Sequence, residues 1–174
     1  MKRLMPAAAL ICALAGVAVV AQGNAASAPS RYRAAIASLL QLKPGMVAAE
    51  VGSTPAVIGS EMAPLVAPGG RVISATLDRT RGATNLEPAS VDAVALIAVF
   101  GVVDRHKELL EEMAAALKPG GALLVVDVPQ ENDGRKVVGI EADDVVRLAT
   151  AAGLKREAES GIVPGHYAIR FRKP

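Results

Sequence analysis

The chain has 174 residues, of which 19 are Lys or Arg and 17 are Asp or Glu, so its formal net charge is only +2. A charge this balanced, without a block of basic residues, argues against nucleic acid as a partner. The sequence holds one cysteine and two histidines. This composition excludes an internal disulfide and a Cys-rich metal site, and we expect no metal centre.

The N-terminal segment has the pattern of a secretory signal. Lys2 and Arg3 precede an uncharged apolar run at residues 4–21, and small residues follow to position 28. We therefore predict a signal peptide at residues 1–25, export to the periplasm or cell envelope, and no membrane segment after cleavage. The alternative is an uncleaved anchor, although a membrane-spanning helix needs roughly 20 apolar residues. The single cysteine, Cys12, lies in this segment, and removing Lys2 and Arg3 leaves equal numbers of basic and acidic side chains.

From residue 30 onward, helical and extended patterns alternate, which predicts one domain at residues 30–174. Apolar residues at helical spacing, with Pro and Gly stops, predict helices at residues 31–42, 54–66, 104–117 and 141–152. Short apolar runs predict strands at residues 46–51, 71–77, 91–99, 122–128, 154–160 and 166–172. In the second helix, Thr54 and Pro55 suit the N-cap and first helical positions.

This alternation predicts an α/β fold with a doubly wound, mostly parallel sheet. Strands that are apolar throughout are typical of a parallel sheet covered by helices on both faces. The last strand differs, because Tyr167, Ile169 and Phe171 alternate with more polar neighbours such as Arg170 and Arg172. We expect that strand to be antiparallel, at an edge, with its arginines in solvent.

Five sequence blocks and a C-terminal Gly-His-Tyr carry a resemblance to a known family. They lie at residues 42–46 (LKPGM), 50–52 (EVG), 69–73 (GGRVI), 90–94 (SVDAV), 117–123 (LKPGGAL) and 165–167 (GHY). In this order they resemble the class I S-adenosylmethionine (SAM)-dependent methyltransferases. The resemblance implies a Rossmann-like fold with an antiparallel last strand. It also implies SAM as cofactor, bound over the C-terminal ends of the first two strands.

The positions that the resemblance assigns to SAM are only partly retained. Glu50 and Gly52 match the family, and Ser53 continues the same turn. Thr54 stands where the family has a second glycine, although β-branched side chains resist the backbone angles that Gly supplies. Ala56 replaces a third glycine. We therefore expect SAM binding to be weak.

The acid that would hold the ribose of SAM is also replaced. Its position falls on Thr76, and Asp78 lies two residues further on. A hydroxyl group replaces one hydrogen bond but not a bidentate carboxylate. Asp78 is either a surrogate ribose acceptor or a solvated loop acid. Glu50 is likewise either a SAM ligand or a buried acid bonded to backbone amides.

A deletion follows the second strand. Only 13 residues, 78–90, separate it from the third strand. A crossover with its helix needs at least about 10–12 residues, so no room remains for a further strand. We predict that one helix–strand unit is missing, that the strand at residues 71–77 is an edge, and that a homodimer forms through it.

No catalytic residue can be assigned from the sequence. Gly and Val dominate after the third strand, at residues 100–104, and Asp104 reads as the N-cap of the next helix. We expect His106 to be exposed and His166 to begin an outward strand face. Three hypotheses remain open: a weak methyltransferase, an exported pseudoenzyme that binds an unknown small molecule, and a protein-interaction module.

Overall fold

The computed structural model describes residues 30–52, 58–129, 131–132, 137–161 and 164–174. The predicted signal at residues 1–25 lies outside this part of the chain. Helices in the described ranges are α1 (Ser30–Leu39), α2 (Gly59–Val66), α3 (His106–Ala116) and α4 (Ala142–Ala151). None of these helices is long and apolar enough to cross a membrane.

Strands in the same ranges form one large sheet and two small hairpins. They are β1 (Val47–Gly52), β2 (Arg71–Ser74), β3 (Leu77–Asp78), β4 (Ala83–Thr84), β5 (Val91–Ile97), β6 (Leu117–Asp127), β7 (Glu131–Asn132), β8 (Val137–Val138), β9 (Lys155–Ser160) and β10 (Tyr167–Arg172). The large sheet has six strands in the order β2-β1-β5-β6-β10-β9. The strands β2, β1, β5 and β6 run parallel, whereas β10 is antiparallel to both β6 and β9.

Helices cover both faces of this sheet, which confirms the doubly wound architecture. Along β5, Val94 and Leu96 belong to one core with α3 and α4, whereas Ala93 and Ala95 belong to a second core with α1 and α2. Successive residues of a strand point to opposite faces, so a strand buried on both sides must be apolar throughout. The apolar runs in the sequence reflect this double burial.

The missing helix–strand unit leaves β2 at the edge of the large sheet, as predicted. The residues after β2 form the β3–β4 hairpin, a separate two-stranded sheet. Glu112 of α3 holds this hairpin, because its carboxylate accepts hydrogen bonds from the amide and the hydroxyl of Thr84. Among the described residues, no strand pairs with the outer side of β2.

The structure corrects the predictions for the last strand. The edge is β9, and β10 lies inside the sheet between β6 and β9. Arg170 is therefore not in solvent but 8 % exposed, and it pairs with Glu157 on β9. The period-two pattern of β10 identified a strand correctly. It misplaced the strand because a buried, ion-paired Arg is indistinguishable in sequence from a solvated one.

Two helix starts also differ from prediction. Helix α2 begins at Gly59 and not at position 54, and the preceding Ile58 has non-helical backbone angles. The proposed cap, Thr54, lies outside the described residues. Helix α3 begins at His106, so its N-cap position belongs to Arg105 rather than to Asp104, and no side chain caps it.

Candidate cofactor site

The C-terminal ends of four parallel strands meet at one edge of the sheet. These ends are Gly52 of β1, Ser74 of β2, Ile97 of β5 and Asp127 of β6. In open α/β sheets, ligands bind in the crevice outside these carboxyl ends. The fold therefore brings Glu50, Gly52 and Thr76 to the edge at which the sequence analysis placed the cofactor.

Glu50 lies beneath the start of α2. Its side chain is buried, at 2 % exposure. Its Oε1 accepts a hydrogen bond from the Ile58 amide at 2.8 Å. A Cβ added to Gly59 would lie 2.9 Å from Oε2, so the first turn of the helix sits directly against the carboxylate. This geometry matches the interpretation of Glu50 as a buried acid bonded to backbone, and its role towards SAM stays a prediction.

Because Glu50 occupies this position, the start of α2 already has a carboxyl group beside it. The N-terminal end of a helix carries partial positive charge and favours a carboxylate. Gly52 ends β1 opposite Ile97 of β5 and is partly buried. The turn that follows, with Ser53 and Thr54, lies outside the described residues, so its predicted contacts with SAM remain predictions.

Thr76 follows β2 and is exposed. Its amide donates a hydrogen bond to Oδ1 of Asn85 at 2.9 Å, which ties it to the segment after the β3–β4 hairpin. The position therefore offers a hydroxyl group where the family's ribose-binding acid would offer two charged oxygens.

Asp78 closes the β3–β4 hairpin. Its Oδ1 accepts hydrogen bonds from the amides of Thr80 and Arg81 at 3.0 and 3.1 Å, and its Oδ2 accepts one from Arg81 Nε at 2.8 Å. The side-chain and backbone hydrogen bonds from Arg81 lower the pKa of Asp78. Both carboxylate oxygens are thus engaged within the hairpin, as expected of a turn acid.

Sequence reasoning missed Asp127, a buried carboxylate at the end of β6. It is 2 % exposed. Its Oδ2 accepts hydrogen bonds from the amides of Val99 and Phe100 at 3.0 and 3.1 Å, and its Oδ1 accepts one from Val128 at 2.8 Å. Burial raises the pKa of Asp127, although these amides and the charge of His166 oppose the shift. The available signal was an acid that directly follows an apolar strand.

The segment after β5 is held in a defined shape. Ala98 has a φ of +51°, a left-handed conformation that is uncommon for residues other than Gly. The amide of Ala98 donates to the Val126 carbonyl at 2.9 Å. His106 Nε2–H donates to the Phe100 carbonyl at 2.9 Å, and the two rings meet edge to face at 5.1 Å. His106 is therefore partly buried and not exposed as expected.

His166 lies just before β10, so it stands at the same edge of the sheet as Asp127. Its Nδ1–H donates to the Pro164 carbonyl at 3.0 Å. Within the described ranges, no three His, Cys, Asp or Glu side chains are grouped as metal ligands would be. At the end of β2, the position that the resemblance assigns to the ribose-binding acid holds the hydroxyl group of Thr76.

Comparison with known proteins agrees with this fold. Residues 76–125 match the family model of a methyltransferase domain. No curated protein sequence matches the chain.

Solved structures match over most of the chain. A SAM-dependent methyltransferase from Aquifex aeolicus is 16 % identical, with 84 % of this chain and 94 % of that chain covered and a TM-score of 0.68. A putative methyltransferase from Bacillus halodurans is 12 % identical over 82 % of this chain and 98 % of that chain, with a TM-score of 0.67. The 1,6-didemethyltoxoflavin-N1-methyltransferase from Burkholderia thailandensis, solved with S-adenosylhomocysteine, is 13 % identical over 82 % and 77 %, with a TM-score of 0.61. The chain therefore has the fold of the SAM-dependent methyltransferases, and its residues 76–125 resemble their methyltransferase domain in sequence.

Proposed function

We propose that this chain is an exported methyltransferase-fold protein whose SAM site is degraded, so that it binds SAM weakly and has little or no methyltransferase activity. The observation that carries the proposal is the end of β2. Thr76 offers no carboxylate there, and both oxygens of Asp78 are engaged by residues of the β3–β4 hairpin. A ligand that needs a bidentate carboxylate here meets a hydroxyl group at Thr76 and, at Asp78, a carboxylate that is already shared with the hairpin.

The expected loss of affinity follows from this geometry. Losing hydrogen bonds to a charged group costs roughly 1.5–3 kcal/mol, and the non-Gly residue Thr54 adds about 1–3 kcal/mol of strain if the turn keeps the family shape. Together these lower the affinity by about two to four decades, so a micromolar ligand would become millimolar or weaker. The absent helix–strand unit also removes structure that covers the adenine ring in the family. The predicted export is consistent with the same proposal, because SAM is a cytoplasmic metabolite and an exported enzyme would not normally meet it.

Titration of the purified protein with SAM and S-adenosylhomocysteine by calorimetry tests the proposal. We expect a dissociation constant in the millimolar range or weaker for the wild type. Thr76→Asp should strengthen binding about ten-fold or more, since it restores the charged acceptor, whereas the matched Thr76→Asn should not. A wild-type constant below about ten micromolar that Gly52→Val abolishes would contradict the proposal and favour an active methyltransferase.

A second candidate function rests on the bare edge of β2. An exported pseudoenzyme that acts through protein contacts, or through an unknown small molecule, needs the fold but not the ribose acceptor. The exposed edge of the sheet favours the protein-contact form of this function, because edge strands pair readily with other chains.

A further inference from the structure

The two edges of the large sheet differ in how they are protected. The edge strand β9 has the sequence KREAES, and four of its six residues are charged. The other edge strand, β2, has the sequence RVIS with one charged residue, no Pro and no bulge. Charges, Pro and bulges are the usual means of preventing edge-to-edge pairing. Only the β9 edge carries such protection.

The backbone of β2 faces outward at two defined residues. The amides of Arg71 and Ala75 donate to Met46 and Glu50 of the β1 side at 3.1 and 2.9 Å. Because ladder bonds alternate along a strand, the amide and carbonyl groups of Val72 and Ser74 point away from β1. These two residues form the pairing surface of the edge.

We infer that the β2 edge pairs with the β2 edge of a second copy of the chain, antiparallel and about a two-fold axis at Ile73. In this register Val72 of each copy lies opposite Ser74 of the other, and each pair exchanges two main-chain hydrogen bonds. The half-buried Ile73 side chains meet at the axis. The six-stranded sheets of the two copies would join across the axis into one twelve-stranded sheet.

The same register keeps like charges apart. Arg71 lies opposite Ala75 of the second copy and far from the second Arg71, so no repulsion opposes the pairing. Without Lys2 and Arg3 of the predicted signal, basic and acidic side chains are equal in number, so net charge adds no long-range repulsion between copies.

The test uses a substitution that removes one outward amide without touching β1. Ser74→Pro deletes the donor of Ser74, and Pro is tolerated where the N–H of an edge strand faces solvent. Ser74→Ala is the matched control, because it keeps the amide. We expect sedimentation equilibrium to give twice the monomer mass for the wild type and Ser74→Ala, and the monomer mass for Ser74→Pro. Thermal unfolding verifies that both variants fold.

Hydrogen exchange identifies the surface independently. Raising the protein concentration should slow exchange at the Val72 and Ser74 amides in the wild type. A wild type that stays monomeric at every concentration would overturn the inference. It would do so even if the β2 edge pairs with a different protein. A dimer that persists in Ser74→Pro, with Val72 exchange independent of concentration, would overturn it as well.

Discussion

Asp127 is the buried carboxylate that fixes the chain after β5. Its two oxygens accept three backbone amides, from Val99, Phe100 and Val128. Replacing it with Asn changes one acceptor oxygen into an amide donor that faces these backbone donors. We expect Asp127→Asn to lower the free energy of unfolding by about 1–3 kcal/mol, measured by urea denaturation.

The pH dependence of stability gives a second prediction at this residue. Burial raises the pKa of Asp127 above the ordinary value of 3.8. A raised pKa in the folded state means that its contribution to stability is full below that ordinary value and declines as pH rises through the folded pKa. The stabilising advantage of the wild type over Asp127→Asn should therefore be largest in acid and shrink towards neutral pH.

Asp92 is the matched control, because its shift has the opposite sign. Burial opposes its ionisation, but the Val47 amide and the Lys118 ammonium outweigh burial and lower the pKa of Asp92. Its contribution is present above the ordinary value and declines as pH falls. Urea titrations between acid and neutral pH should show opposite trends for Asp92→Asn and Asp127→Asn, and parallel trends would contradict the assignment.

At the scale of single residues, the sequence predicted where some site residues lie but not which contacts they make. Glu50 and Thr76 do lie at the predicted edge of the sheet, because motif spacing fixes which residues end a strand. Local bonding was not predictable: Asp78 turns into its own hairpin, and Asp127 bonds to the loop after the neighbouring strand. Such bonds depend on chain paths that only the folded backbone defines.

At the level of secondary-structure elements, the Pro-Gly-Gly joint at residues 68–70 connects α2 to β2 and shows why position 70 has to be glycine. A Cβ on Gly70 would lie 2.3 Å from the Met46 carbonyl oxygen and 2.4 Å from the Val66 carbonyl oxygen. Both contacts are with backbone that also forms hydrogen bonds, since Val66 accepts from Gly45 and Gly70. The joint thus brings three chain segments into direct contact.

We expect Gly70→Ala to lower the free energy of unfolding by about 3 kcal/mol, because overpacked backbone must move apart. Gly161→Ala is the control, since a Cβ there meets nothing within 4 Å. That variant should change stability by no more than about 0.5 kcal/mol. Guanidinium denaturation of both proteins provides the measurement, and equal stabilities would show that the joint is not close-packed.

Sequence patterns identified the strands of the large sheet but did not place every strand correctly within it. The strands β1, β5 and β6 have apolar residues on both faces, so their runs identified them. The position of β10 was wrong because the burial of Arg170 depends on its ion pair with Glu157 across the sheet. An alternating pattern identifies a strand but does not specify which strands lie beside it.

At the scale of the whole molecule, the predicted signal peptide implies that the protein is exported and that its mature chain is shorter. Lys2, Arg3 and the apolar run at residues 4–21 predict cleavage near Ala25. N-terminal sequencing of the protein from a cell-envelope fraction should begin between Asn24 and Pro29. An intact Met1 on soluble cytoplasmic protein would contradict export.

Thr76 and Asp78 belong to neither of the two cores, and each of their described hydrogen bonds is local to the segment between β2 and β5. Their replacement would remove hydrogen bonds of this segment but no core packing. The large sheet therefore does not depend on the residues at the proposed ribose position. A fold of this kind can lose a cofactor contact there and still persist in a role that needs no cofactor.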